Sequence, residues 1–196
     1  MTPRPTRDAR GAILAAATAV FEAQGIDGIS MRHLASEIGV SATALYHHFD
    51  SKEALVAATC EAGFTEFGAR LEAAARAAAS PLDAVRALTD VYVDFALERP
   101  MHYDVMMIRP HRWAFDIDLN KDPESFAGLV ALMEACQSAG QIRPQDPREA
   151  AHMIWAAIHG TVSLSLSMPG EIRGLEAGAV RERGRAMVEA VIASLP

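Results

Sequence analysis

Only two cysteines, Cys60 and Cys136, occur in the 196 residues. They lie far apart and fit neither a zinc-ligand spacing nor a disulfide framework, which points to a reducing, cytoplasmic setting. Long hydrophobic runs are also missing. None reaches the roughly 18 to 20 apolar residues of a membrane-spanning helix. The charged opening MTPRPTRDAR leads into no uninterrupted apolar stretch of the kind a secretory leader carries. Sustained strand alternation, internal repeats and low-complexity linkers are absent as well. There is no excess of positive charge, because 18 Lys and Arg face 25 Asp and Glu for a net −7. Taken over the whole chain, that balance argues against a nucleic-acid partner. No nucleophile elbow, P-loop, HExxH or glycine fingerprint occurs, so the motifs of the common enzyme classes are not there, and no cofactor or metal is expected.

What is present favours helix. The chain is 51% hydrophobic, enough for a substantial core, and alanine, which loses no side-chain entropy in a helix, makes up about a fifth of it. The first helix is expected at 7–24, with Ile13, Leu14, Ala17, Val20 and Phe21 on one face and Gly25 as its stop. Asp27-Gly28 reads as a turn. Ser30 is an N-cap for a short helix through 38, Gly39-Val40 breaks it, and Ser41 caps another through 48. Asp50-Ser51-Lys52-Glu53 reads as a capping box opening a long helix with Leu55, Val56, Phe64, Phe67 and Leu71. That helix ends near the alanine run before Ser80-Pro81. Further helices are expected at 82–97, 101–108, 123–139, 147–168 and 175–195, separated by prolines. The fold class is all-α.

The stretch SMRHLASEIGVSATALYHHF, residues 30–49, pairs two short helices around a turn. Ala35 is small enough for the second helix to cross close, Gly39 suits a left-handed turn, and Leu34, Ile38, Val40 and Leu45 supply the shared core. This is a helix-turn-helix pattern, whose second helix offers its first residues to a major groove. Simple packing of two helices gives the same pattern.

The longer run AILAAATAVFEAQG, then SMRHLASEIGVSATALYHHF, then DSKEALVAA, resembles the DNA-binding domain of the TetR family of bacterial transcriptional regulators. Ile26 and Leu34 depart mildly from the usual aromatic and isoleucine. WAAIHG, residues 155–160, is similar to the tryptophan–histidine–glycine signature of one ligand-binding C-terminal domain of that family.

The resemblance implies a DNA-binding domain at 1–54 and a helical ligand-binding and dimerisation domain at 55–196. It implies a recognition helix at 41–48 and a DNA-contacting set of Ser30, Arg32, Ser41, Ala42, Thr43, Tyr46, His47 and Lys52. Ala42 and Thr43 face base edges, Tyr46 and His47 reach phosphates, and Lys52 anchors a phosphate. Each has a plainer reading beside this one: Tyr46 as packing, Lys52 as a solvated helix start, Arg32 as the partner of Glu37 or Asp27. The last two helices are implied to pair with a second copy, which makes the operator palindromic. Gly160 is expected to let those two helices approach closely.

Charge changes meaning when counted locally. Residues 1–54 hold five Lys and Arg against six Asp and Glu, with three histidines besides, so most of the acidity lies further on. A near-neutral unit makes few phosphate contacts and needs two copies to bind usefully.

Methionines and aromatics gather after it. The ligand-lining set read from them is Phe64, Phe67, Tyr92, Phe95, His102, Met106, Met107, Trp113, Met133, His152, Trp155 and His159, with ordinary core as the alternative for each. The expected activity is a ligand-responsive regulator, a repressor released from DNA by a small apolar effector. The rivals are weaker. Asp116 to Asp122 mimics the start of a calcium loop, but Lys121 and Ala127 occupy the glycine and glutamate positions. A redox role for Cys60 or Cys136 lacks an electropositive setting.

Overall fold

The computed structural model describes residues 7–27, 29–109, 124–168 and 177–195. Every regular element in them is helical: α1 (Arg7–Gln24), α2 (Met31–Glu37), α3 (Ala42–His48), α4 (Lys52–Ala77), α5 (Pro81–Glu98), α6 (Pro100–Tyr103), α7 (Glu124–Ser138), α8 (Pro147–Ser167) and α9 (Ala177–Ser194). A π-helical turn, Asp104–Ile108, continues α6. The expected 101–108 helix therefore changes its hydrogen-bonding partway, and mid-helix π turns often accompany functional sites.

The chain divides into two compact units, Met1–Thr65 with Arg99–Asp116, and Glu66–Glu98 with Ile117–Pro196. The sequence led us to expect a division after residue 54. The compact units instead divide within α4, whose first turns bury Leu55, Val56, Thr59 and Cys60.

In the first unit α1 buries Ile13, Ala17 and Phe21, the inward face read from its periodicity, and ends at Gly25 with φ +75°. Ser30 Oγ accepts from His33 N at 3.2 Å and Ser41 Oγ from Ala44 N at 3.1 Å, so both expected N-caps form. Between them Gly39 takes φ +74°, the left-handed conformation the tight turn requires. Leu34, Ala35, Leu45 and Phe49 fill the core.

One cap differs from its expectation. Ser51 Oγ, not Asp50, caps α4 through Ala54 N at 3.1 Å, so the third helical position is Ala54 and Glu53 closes no capping box.

In the second unit α9 packs on both α8 and α5, and α7 packs on α8 and α5. Ser80 caps α5 by accepting from Asp83 N at 3.1 Å, and Gln141 Oε1 accepts from Leu82 N at 3.0 Å. Asp146 caps α8 in front of Pro147. Gly160 does not serve close approach within the chain, since an added Cβ there would meet nothing within 4 Å. Gly184 does, because its Cβ would lie 3.2 Å from Val93 Cγ2.

Candidate functional site

α3 points Leu45 inward and leaves Thr43, Tyr46 and His47 exposed. These three are three and four residues apart and share one helical face. None of their side chains has a hydrogen bond or ion pair among the described residues. Tyr46 is 47% exposed. Ala42 is half-buried at the first helical position, and the Ser30 and Ser41 hydroxyls are occupied as caps.

Arg32 is exposed on α2 and pairs with neither of the acids expected for it. Glu37 accepts from Gln24 Nε2 at 3.1 Å, and Asp27 faces Arg109 at 3.5 Å. Lys52 Nζ sits 3.5 Å from the Asp27 carbonyl, at the foot of α4. The rings of His47 and His48 meet edge to face at 5.4 Å. Arg10, which the sequence reading passed over, places its guanidinium 4.7 Å over the Phe49 ring.

The expected ligand-lining residues fall into two groups. In the second unit a continuous run of rings joins seven side chains. Phe67 meets Phe95 at 4.9 Å and Tyr92 at 5.7 Å, and the Tyr92 hydroxyl pairs with His159 Nδ1 at 2.9 Å. His159 stacks on Trp155 at 5.5 Å, Trp155 meets Phe126 at 6.1 Å, and Phe126 meets His152 at 4.6 Å. Phe126 was missed because a single phenylalanine in an apolar helix carries no signal of its own. Burial lowers the His159 pKa from its ordinary value, so the ring tends to stay neutral. Met133 is buried in the same unit.

His102, Met106, Met107 and Phe64 belong to the first unit, with Met107 half-buried and Phe64 exposed. His102 is a buried histidine satisfied by the chain itself: its Nδ1 lies 2.5 Å from Glu22 Oε1, and Glu22 Oε2 accepts from Met101 N at 3.2 Å. Trp113 and the calcium-loop mimic at 116–122 lie outside the described residues.

Burial pushes the Cys60 thiol up to about 12 and raises that of Cys136, which keeps both protonated and unreactive at neutral pH. Among the described residues no helix is long and apolar enough to cross a membrane.

One apolar surface stands open. Ala156, Ala157, Gly160, Thr161, Leu164, Ser165 and Met168 of α8 and its end, with Arg183 and Met187 of α9, line a groove of about 470 Å³. Leu164 is 56% exposed and Met187 45%.

Two short capped helices around a left-handed glycine, with an outward second helix, define a helix-turn-helix DNA-binding protein carrying a helical C-terminal unit. Residues 13–59 match the profile described as bacterial regulatory proteins of the tetR family, and 85–193 match a tetracyclin repressor-like C-terminal domain. The chain belongs to the TetR family of transcriptional regulators.

It is 28% identical over 135 residues to the HTH-type transcriptional activator FasR of Mycolicibacterium smegmatis, covering 69% of this chain and 58% of that protein. It is 37% identical over 62 residues to the HTH-type transcriptional repressor KstR2 of Rhodococcus jostii, covering 29% of this chain and 30% of the other. The match thus spans less than two thirds of either relative. A solved structure of a protein of unknown function from Rhodococcus sp. RHA1 superimposes with a TM-score of 0.77 at 28% identity, covering 100% of this chain and 99% of that one.

Proposed function

We propose that this chain is a ligand-responsive cytoplasmic regulator that grips a palindromic operator as a homodimer, represses from it, and is released by a small apolar effector. The observation that carries this is the outward face of α3, where Thr43, Tyr46 and His47 stand exposed together with no side-chain hydrogen bond or ion pair among the described residues. A methyl, a phenol and an imidazole on one helical face suit a major groove, with the thymine methyl and purine acceptors as matching groups. Arg32 and Lys52 flank that face as phosphate contacts, beside the helix starts that Ser30 and Ser41 cap.

The open α8–α9 groove suits a second copy of the chain. Gly160 leaves its floor flat, and Leu164 and Met187 gain burial when it is covered. Two-fold symmetry then sets two recognition helices about 34 Å apart. The ring cluster from Phe67 to His152 supplies an apolar lining with the Tyr92–His159 pair as its polar point, and domains 1–54 and 55–196 remain the functional division. The KstR2 likeness supports repression, and the FasR likeness supports activation.

Selection from a random duplex pool, with sizing of the free protein, tests the reading. Tyr46→Ala and Lys52→Ala are each expected to weaken binding of the selected duplex by about 1–3 kcal/mol while leaving the dimer intact. Parent-like affinity in both variants removes α3 from the interface. A thermal-shift screen of apolar compounds tests the effector.

A further inference from the structure

We propose that this chain tells DNA sequences apart through methyl groups: Thr43, with Ala42 beside it, packs on the C5 methyls of thymines in each half-site, and Thr43 is the specificity-determining residue. The inference rests on the DNA-binding reading and names what that site recognises.

What α3 lacks carries the argument. Its seven residues, ATALYHH, include no Arg, Lys, Asn, Gln, Asp or Glu. Those are the side chains that grip guanine or adenine by paired hydrogen bonds or accept from the cytosine amine. Tyr46 and His47 supply single hydrogen bonds, which suit phosphate oxygens and purine acceptors alike. Phosphate contacts at Arg32 and Lys52 set register and carry no sequence information.

The start of the helix is what remains, and it offers methyls. A recognition helix turns its N-terminal residues to the base edges. Ser41 stands there as the cap, its Oγ accepting from Ala44 N at 3.1 Å. Ala42 follows, half-buried, and then Thr43, which is exposed. The Thr43 side chain brings a hydroxyl and a methyl. A hydroxyl bonds to several bases and selects little, whereas a methyl gains by packing where the groove carries an apolar group. In the major groove that group is the thymine methyl. Tyr46, three residues on, lies on the same face with its ring 47% exposed and widens the apolar edge.

The group recognised is thus a C5 methyl on a pyrimidine, whichever base carries it. 5-Methylcytosine presents the same methyl as thymine, so it replaces a contacted thymine better than cytosine does.

The probe is the duplex recovered from a random-sequence pool by this protein. Its half-site thymines are replaced in symmetric pairs by uracil, which removes the methyl and keeps the base pair. At the contacted pair, affinity is expected to fall about tenfold, one buried methyl being lost in each half-site. Cytosine at that pair is expected to bind more weakly than 5-methylcytosine by a similar factor. Thr43→Ser, which deletes the methyl and keeps the hydroxyl, should bring the thymine-to-uracil affinity ratio to about one. Thr43→Val, which keeps a methyl and deletes the hydroxyl, should preserve the ratio whatever its overall affinity. Recovered half-sites without thymine, equal affinity of the parent protein for the thymine and uracil duplexes, or a ratio that survives Thr43→Ser and vanishes in Thr43→Val overturns the inference and leaves the DNA-binding reading standing. A folded dimer that retains no duplex overturns that reading, and this inference with it.

Discussion

Gly63 sits on α4 where a side chain has no room. A Cβ there would lie 2.5 Å from His102 Cδ2 and 2.9 Å from Met106 Sδ. The methionine can swing aside. The imidazole cannot retreat freely, because Glu22 holds its Nδ1 at 2.5 Å and also accepts the Met101 amide. A half-buried carboxylate with two donors is costly to disturb, since any lost partner leaves a partly desolvated charge. Alanine normally improves a helix interior by about 1 kcal/mol over glycine. At Gly63 the overlap outweighs that gain, and Gly63→Ala is expected to lower unfolding stability by about 1–3 kcal/mol. Gly68 is the internal control. It lies on the same helix, where an added Cβ meets nothing within 4 Å, so Gly68→Ala should raise stability by up to about 1 kcal/mol. Denaturant unfolding of the two variants decides it, and equal shifts contradict the packing account.

Between elements, α5 and α9 meet along an antiparallel seam with a ladder of charge beside it. Arg86, Asp90 and Asp94, one turn apart on α5, pair with Glu189, Arg185 and Arg181 on α9. Arg86 Nε reaches Glu189 at 2.6 Å and Arg185 Nε reaches Asp90 at 2.6 Å. The Arg86 guanidinium holds the Glu189 carboxyl below its ordinary range. Such half-exposed rungs set register more than stability. Arg185→Ala should therefore cost no more than about 1 kcal/mol, and less at high salt. Gly184→Val, which drives a branched side chain toward Val93, should cost about 1–3 kcal/mol at any salt. Denaturant curves at low and high salt separate the two; a larger, salt-insensitive loss at Arg185 contradicts the division of labour.

The helices that carry these charges were legible from the chain, as were the caps at Ser30 and Ser41, because helix periodicity and capping are local. The pairing was not. Partners about a hundred positions apart leave no local mark, and the same holds for Glu22 with His102 and for the clash waiting at Gly63. The Ser51 cap was one residue off for a similar reason, since two capping-type residues, Asp50 and Ser51, stand side by side.

At the scale of the whole molecule the net −7 is unevenly spread. Residues 1–54 carry a net −1 and the remainder −6. On the head the exposed and half-buried cations near α3 are Arg32 and Lys52, while Arg10 lies over the Phe49 ring. A dimer built from two such heads neutralises few phosphates by direct charge and relies on amides, hydroxyls and groove contacts for the rest. Each phosphate neutralised contributes about 0.9 to the slope of log affinity against log salt. The dimer is thus expected to release well under about ten counterions on binding its selected duplex near neutral pH. Fluorescence anisotropy across a salt series measures the slope. Ten or more counterions at neutral pH would mean that cations outside the described head, such as Arg4, also lie on the DNA.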